Sequence, residues 1–286
     1  MRIVVSGGAG RVGRFVIEEL AAAGHEVTSM DLAPAPSRNP DIGYMLGDVS
    51  RAEDVYGTLG FARAEAMVHL AAWSDPGIVS DTKTYADNVG ATFNVLDAAE
   101  KLGVRRVILA SSAQVYGFAE HAPAFAPVTE DHPLRPLNSY ALSKIAGEDA
   151  AAYFARRGLS VLSLRIMGAR APQDMKAEIA RARMQPARER FLLWTRVDAR
   201  DIAIGCRQAV EQADVDSGVY NLSGAENVFG EETCALFAAH SPGTDRTALP
   251  PGTASGFSSA KARKAFGYEP IYVWGPDVDH WPVAEN

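Results

Sequence analysis

The chain has 286 residues, 47% of them hydrophobic and 22% charged, with a formal net charge of −7 at pH 7. That balance is the ordinary one of a soluble globular protein and excludes a disordered chain, while the length allows one large α/β domain with a modest appendage but not three independent domains. The acidic sign argues against nucleic acid or an anionic membrane as partner, since both select basic faces, and leaves a small molecule.

The apolar run at Ile3-Val4-Val5 is too short for a signal peptide, and no window reaches transmembrane length. Cys206 and Cys234 stand far apart without metal-ligand spacing, which favours a cytoplasmic setting over a disulfide framework. Short apolar runs at residues 2–6, 25–30, 67–70, 104–110 and 159–165 read as strands. Between them, residues 11–23, 81–102 and 139–157 carry helical apolar spacing. Strands alternating with helices predict a parallel, doubly wound sheet, which a late helix over 199–211 and strand over 218–222 extend at its far edge. Residues 171–194 and 228–257 lack this rhythm and contain breaks such as Ser241-Pro242-Gly243. The expected division is a nucleotide-binding domain over residues 1–170 plus about 197–225, and a small substrate domain over about 171–196 and 226–286.

Gly7-Gly8-Ala9-Gly10-Arg11-Val12-Gly13 follows the first strand and opens a helix. Glycines there let the backbone turn tightly and approach a pyrophosphate, which helix N-terminal amides then hold. Gly7, Gly10, Arg11, Val12 and Gly13 are therefore cofactor-binding candidates. Asp31 closes the second strand at the distance where a carboxylate accepts bonds from an adenine-ribose 2′-hydroxyl, favouring NAD over NADP; Arg11 and Arg38 are the cations available to offset a 2′-phosphate. Asp48 and Val49, in Leu46-Gly47-Asp48-Val49 after a further strand between the 25–30 and 67–70 runs, are candidates for the adenine side, although Asp48 alone also reads as a helix cap.

Tyr140 and Lys144 lie four residues apart on a predicted helix, hence on one face. A free tyrosine titrates near ~10, so its use as a base needs something to favour the phenolate. One positive charge about 4 Å away contributes about 4 kcal/mol at an effective dielectric of about 20, or about three pKa units. Alone, the pair also fits an amphipathic helix with an exposed lysine. Ser112 changes that reading, because it follows the predicted strand 104–110 at the carboxyl edge of the sheet, where it can hydrogen-bond a reacting oxygen.

With these motifs, the chain resembles an extended short-chain dehydrogenase/reductase of the NAD-dependent epimerase/dehydratase family. The resemblance rests on GGAGRVG at 7–13, Asp31, Gly47-Asp48, His69-Leu70-Ala71-Ala72, Asn88, the Ser112 to Gly117 segment, Tyr140 with Lys144, Leu164-Arg165 and Val197-Asp198-Ala199-Arg200-Asp201. It implies a Rossmann-type sheet with a small C-terminal substrate domain, a Ser112/Tyr140/Lys144 catalytic set and a homodimer. It also implies that Leu70, Ala71, Ala72, Asn88 and Ile166 border the cofactor, with Asn88 supporting the scaffold and His69 packed beneath the cofactor loop. Substrate candidates are Trp73, Ser74 and Asp75 after the fourth strand, Gln114, and Met167, Arg170 and Trp194 facing them. Arginines 181, 183, 188 and 190 read as a solvated helical face that a phosphate or carboxylate could also use.

Ala113 and Gln114 stand where dehydratases carry an acidic pair, which disfavours dehydration, and the asparagine that sugar-nucleotide epimerases carry beyond the strand-final arginine is missing after Arg165. A nucleotide-sugar 4-epimerase ranks slightly ahead on family frequency. The alternative is a dehydrogenase of a free sugar or sugar acid, resembling uronate dehydrogenases. A regulator that binds NAD without turnover ranks third, and no metal ligand set is found.

Overall fold

Continuous apolar strands such as Ile3-Val4-Val5 belong to a sheet covered on both faces, and that is how the chain folds. The computed structural model describes residues 1–74 and 77–276. In chain order the elements are β1 (Arg2–Ser6), α1 (Gly13–Ala22), β2 (Glu26–Asp31), β3 (Ile42–Leu46), α2 (Ala52–Ala62), β4 (Ala66–His69), α3 (Asp81–Leu102), β5 (Arg106–Ser112) and α4 (Ser139–Ala155). There follow β6 (Ser160–Ile166), β7 (Ala169–Arg170), α5 (Pro172–Arg183), β8 (Val197–Asp198), α6 (Ala199–Glu211), β9 (Gly218–Leu222), α7 (Thr233–His240) and α8 (Ala260–Phe266).

Seven strands pair in parallel in the order β3-β2-β1-β4-β5-β6-β9. Successive crossovers run outward from β1 to β3, then reverse to β4 and beyond, so the switch point lies between β1 and β4 and opens a crevice at the carboxyl ends. One core joins apolar residues of α1, α6 and α8 to the sheet; another joins those of α2, α3 and α4. No helix among the described residues is long and apolar enough to cross a membrane.

A third core gathers Met175 and Ile179 of α5, Leu192, Leu193, Trp194, Val228, Phe229 and Phe257. The domain boundaries expected above shift in two places. Ala113, Val115, Tyr116, Phe118, Ala126 and Val128, all upstream of α4, pack into this third core. Conversely, Ala262 and Phe266 of α8, with the fully buried Tyr268, pack into the first core beside the sheet. Tyr268 occupies the space that a glycine leaves on α6: a Cβ at Gly205 would stand 2.9 Å from its ring. Its hydroxyl donates to the Ser223 carbonyl at 3.0 Å. Among the described residues, the chain after Phe266 runs past the start of α6, where Asp201 accepts from the Ile271 amide at 2.9 Å and Asp198 accepts from the Trp274 indole at 2.9 Å.

Candidate active site

The glycine loop after β1 is closed to any larger residue. Gly7 is left-handed, with φ +75°, and a Cβ at Gly13 would stand 1.9 Å from the Gly7 carbonyl oxygen. Helix α1 then starts without a side-chain cap or an acidic residue in its first turn, which suits its N-terminus to an anion. Asp31 ties this loop to β2: one carboxylate oxygen accepts from the Ala9 amide at 3.0 Å, the other from the Ala33 amide at 3.1 Å. The loop, an uncapped helix start and a carboxylate at the end of β2 fit a dinucleotide. Asp48 accepts from the Ser50 amide at 2.9 Å and the Ser50 hydroxyl at 2.7 Å, turning the chain into α2.

A cleft of about 570 Å³ runs over the carboxyl ends of the strands. Every cofactor candidate from the sequence borders it, together with Ser112, Tyr140, Lys144, Trp73, Ser74, Gln114 and Arg170.

At its chemical end, Asn138 caps α4 by accepting from the Ala141 amide at 2.8 Å and donates to the Gln114 side chain at 2.9 Å. One turn on, Tyr140 and Lys144 are buried, with the Lys144 ammonium 5.5 Å from the centre of the Tyr140 ring. Burial pushes the Lys144 ammonium down to about 8, against the opposing charge of Glu148. Ser112 ends β5, and its oxygen accepts from the Gln114 amide at 3.2 Å, leaving the hydroxyl hydrogen able to donate elsewhere.

Asn88 acts as a clamp. Its side chain donates to the Ser143 hydroxyl at 3.1 Å and the Trp73 carbonyl at 3.2 Å, and accepts from the Trp73 amide at 2.9 Å. The Trp73 indole donates to Asp87 at 2.7 Å, fixing the ring at the cleft wall. His69 lies buried beneath, its Nδ1 2.7 Å from the Ser6 hydroxyl. Burial, with Lys144 adding to it, pushes its imidazole down to about 3, so it is neutral at physiological pH.

Two substrate candidates do not reach the cleft. Met167 is fully buried in the third core, because its amide donates to the Leu222 carbonyl and the chain turns inward before the left-handed Gly168. Trp194 is likewise fully buried, left-handed at φ 56°, with its indole donating to the Pro186 carbonyl at 2.8 Å. Arg170 does border the cleft and donates to Glu178 at 2.9 Å. Asp75 lies outside the described residues. Arg181, Arg183 and Arg188 are exposed, whereas Arg190 ties down the Phe118 and Ala119 carbonyls. The sequence reading missed Glu148, although its spacing of four from Lys144 was a usable signal.

Comparison with known proteins follows the same lines. Residues 3–223 match the model of the NAD dependent epimerase/dehydratase family. Over 172 residues the chain is 35% identical to a UDP-glucose 4-epimerase of Corynebacterium glutamicum, covering 58% of this chain and 50% of that one. Over 227 residues it is 35% identical to an L-arabinose 1-dehydrogenase (NAD(P)(+)) of Haloferax volcanii, covering 76% of this chain and 85% of that one. A solved short-chain dehydrogenase/reductase superfamily protein from Agrobacterium tumefaciens, with bound NAD, superposes with a TM-score of 0.74 at 25% identity, covering 95% of this chain and 93% of that one.

Proposed function

The chain belongs to the NAD-dependent epimerase/dehydratase family, and from that premise we propose that it oxidises a secondary alcohol of a free sugar or sugar acid and releases the reduced cofactor. The observation that carries this reading is how far the sequence match extends. At the same 35% identity, the matched segment spans 85% of the arabinose dehydrogenase and 50% of the UDP-glucose 4-epimerase. With Met167 and Trp194 turned into the core, Trp73, Ser74, Gln114 and Arg170 remain as the side chains for recognising a small polyol.

The chemistry that bound NAD⁺ would supply is a hydride acceptor for the carbinol carbon. We assign to Gly7, Gly10 and Gly13 the approach to its pyrophosphate and to Asp31 its ribose hydroxyl. Tyr140, as phenolate, takes the hydroxyl proton while the C–O bond becomes a carbonyl, and the Lys144 ammonium stabilises that phenolate. Ser112 donates to the same substrate oxygen, fixing which C–H faces the cofactor. Asn88 holds the Trp73 segment against α4.

The epimerase reading uses the same residues and is favoured by the run of UDP-glucose 4-epimerases among the relatives. It differs only in returning the hydride. Incubating the purified protein with NAD⁺ and panels of free sugars, sugar acids and UDP-sugars separates the two. NADH absorbance should accumulate with a free sugar or sugar acid. A new stereoisomer of a UDP-sugar by NMR, without net NADH, would overturn the proposal in favour of the epimerase. Tyr140→Phe should lower kcat by about 10²- to 10⁴-fold; an unchanged kcat would remove Tyr140 from the chemistry.

A further inference from the structure

Beneath the cleft lies a buried ion pair to which the chemistry above gives no part. Glu148 and Arg165 have side chains only 8% and 4% exposed, and they meet in two parallel hydrogen bonds of 2.9 and 2.7 Å. The Ser111 hydroxyl adds a third bond to Glu148, at 2.5 Å. On its far side Arg165 donates to the Tyr116 hydroxyl at 3.0 Å, which donates in turn to Asn221 at 2.8 Å.

Such a pair is weak evidence of stabilisation, since apolar residues of similar volume often replace one at no loss. Its location suggests another use. Ser111 and Arg165 face each other in the β5/β6 register, one step before Ser112 and Ile166, both of which border the cleft. Glu148 lies one helical turn beyond Lys144 on the same face of α4. The pair thus ties α4 to the two strand ends next to the chemistry, and it sets a carboxylate beside a buried ammonium.

The ionisable groups around Lys144 are Tyr140 and Glu148 on α4 and His69 on β4, with Arg165 on β6 reaching Glu148 from its other side, while α3 brings the uncharged Asn88 through Ser143. His69 is neutral, and burial alone drives Lys144 toward losing its proton. Glu148 is the charge that resists this, and it also cancels Arg165. Without Glu148, the buried Arg165 and the buried Lys144 would each lose the carboxylate that opposes its charge.

We propose that Glu148, held by Arg165 and Ser111 one helical turn from Lys144, is a positioning residue that keeps the Lys144 ammonium charged beside Tyr140. This rests on the assignment of Tyr140 and Lys144 made above. Its consequence is that the alkaline limit of turnover is set by an ion pair outside the cleft.

The test is the pH profile of kcat/KM from 5.5 to 10 in wild type and Glu148→Gln, with the Lys144 ammonium titrated directly by NMR in ¹³C-lysine-labelled protein and assigned by Lys144→Met. In Glu148→Gln both the alkaline limb and the Lys144 midpoint should fall by at least one pH unit, a tenfold change in proton affinity, while NAD affinity stays within twofold. Glu148→Asp should return the limb toward wild type. If Glu148→Gln does not fold, the apolar double variant Glu148→Met/Arg165→Met carries the test, with the limb again lowered. A folded variant with uniformly reduced kcat, an unmoved limb and an unmoved midpoint would overturn the proposal. If Tyr140→Phe is inactive and only the limb fails to move, this proposal alone is lost; an active Tyr140→Phe removes the underlying assignment instead.

Discussion

Replacing Gly13 with alanine tests the cofactor end with a perturbation whose size can be read from the fold. The new Cβ would lie 1.9 Å from the Gly7 carbonyl oxygen, 2.8 Å from the Gly7 carbonyl carbon and 2.9 Å from the Gly8 Cα. All three are backbone atoms, so the loop itself must retreat by about 1.5 Å to recover normal contact. The Gly7 carbonyl accepts from the Gly10 amide at 3.0 Å, so the retreat also loosens the turn. Overpacking of this kind costs about 1–3 kcal/mol and a lost hydrogen bond about 1 kcal/mol. Where that strain falls on the bound state, the Kd for NAD rises about 30- to 1,000-fold, at tenfold per 1.4 kcal/mol. Calorimetric titration with NAD⁺, beside a thermal melt of each variant, reads both quantities. Gly57→Ala is the matched control: it is exposed within α2 with open space around its Cβ, so it should raise stability by about 0.5–1 kcal/mol and leave NAD affinity unchanged. A Gly13→Ala protein binding NAD within threefold of wild type would refute the assignment of this loop to the pyrophosphate.

Asp31→Ser removes the carboxylate that anchors Ala9 and Ala33, and should raise the KM for NAD by about tenfold or more while moving preference toward NADP; steady-state kinetics with both cofactors checks this, and an unaltered preference would detach Asp31 from the ribose. Two buried groups give opposing pH dependences. Burial pushes the Asp201 carboxyl up to about 7, against bonds from the Ile271 and Tyr272 amides, so the folded state holds a proton that the unfolded chain releases, and stability falls as pH rises from about 4 to 7. His69, pushed down to about 3, does the reverse: the unfolded chain binds the extra proton, and stability rises with pH between about 3 and 6.5. Relative to wild type, Asp201→Asn should therefore steepen the gain of stability with pH by as much as about 1.4 kcal/mol per unit between pH 4.5 and 6.5, and His69→Gln should reverse it. Urea unfolding at three pH values measures both, and parallel curves would contradict the buried titrations.

The sheet and the cleft were legible because each strand ends in a residue type with work to do there. Ser6, Asp31, His69, Ser112 and Ile166 all end strands in the structure, within two residues of where the apolar runs stop. What escaped the sequence were positions whose meaning depends on a turn. Met167 and Trp194 are large apolar residues next to candidate site segments, and nothing local says that a left-handed Gly168, or Trp194's own left-handed backbone, turns them into a core. The third core drew on residues 113–128 for a related reason: their aromatics are spaced for no regular element and acquire partners only across the fold, as Tyr116 and Phe118 do with Phe257. Glu148 was hidden because a charged residue on a helix reads as solvent-facing until Arg165 arrives from β6.

Tyr268 lies beyond the segment shared with the family model, yet it fills the gap between α6 and β9. On a ribosome, which delivers the chain from its N-terminus, β9 and α6 must wait for dozens of further residues before that side of the nucleotide-binding layer is sealed. Throughout that interval Leu222 and Cys206 lack their final cover, which is the kind of nascent surface that chaperones bind.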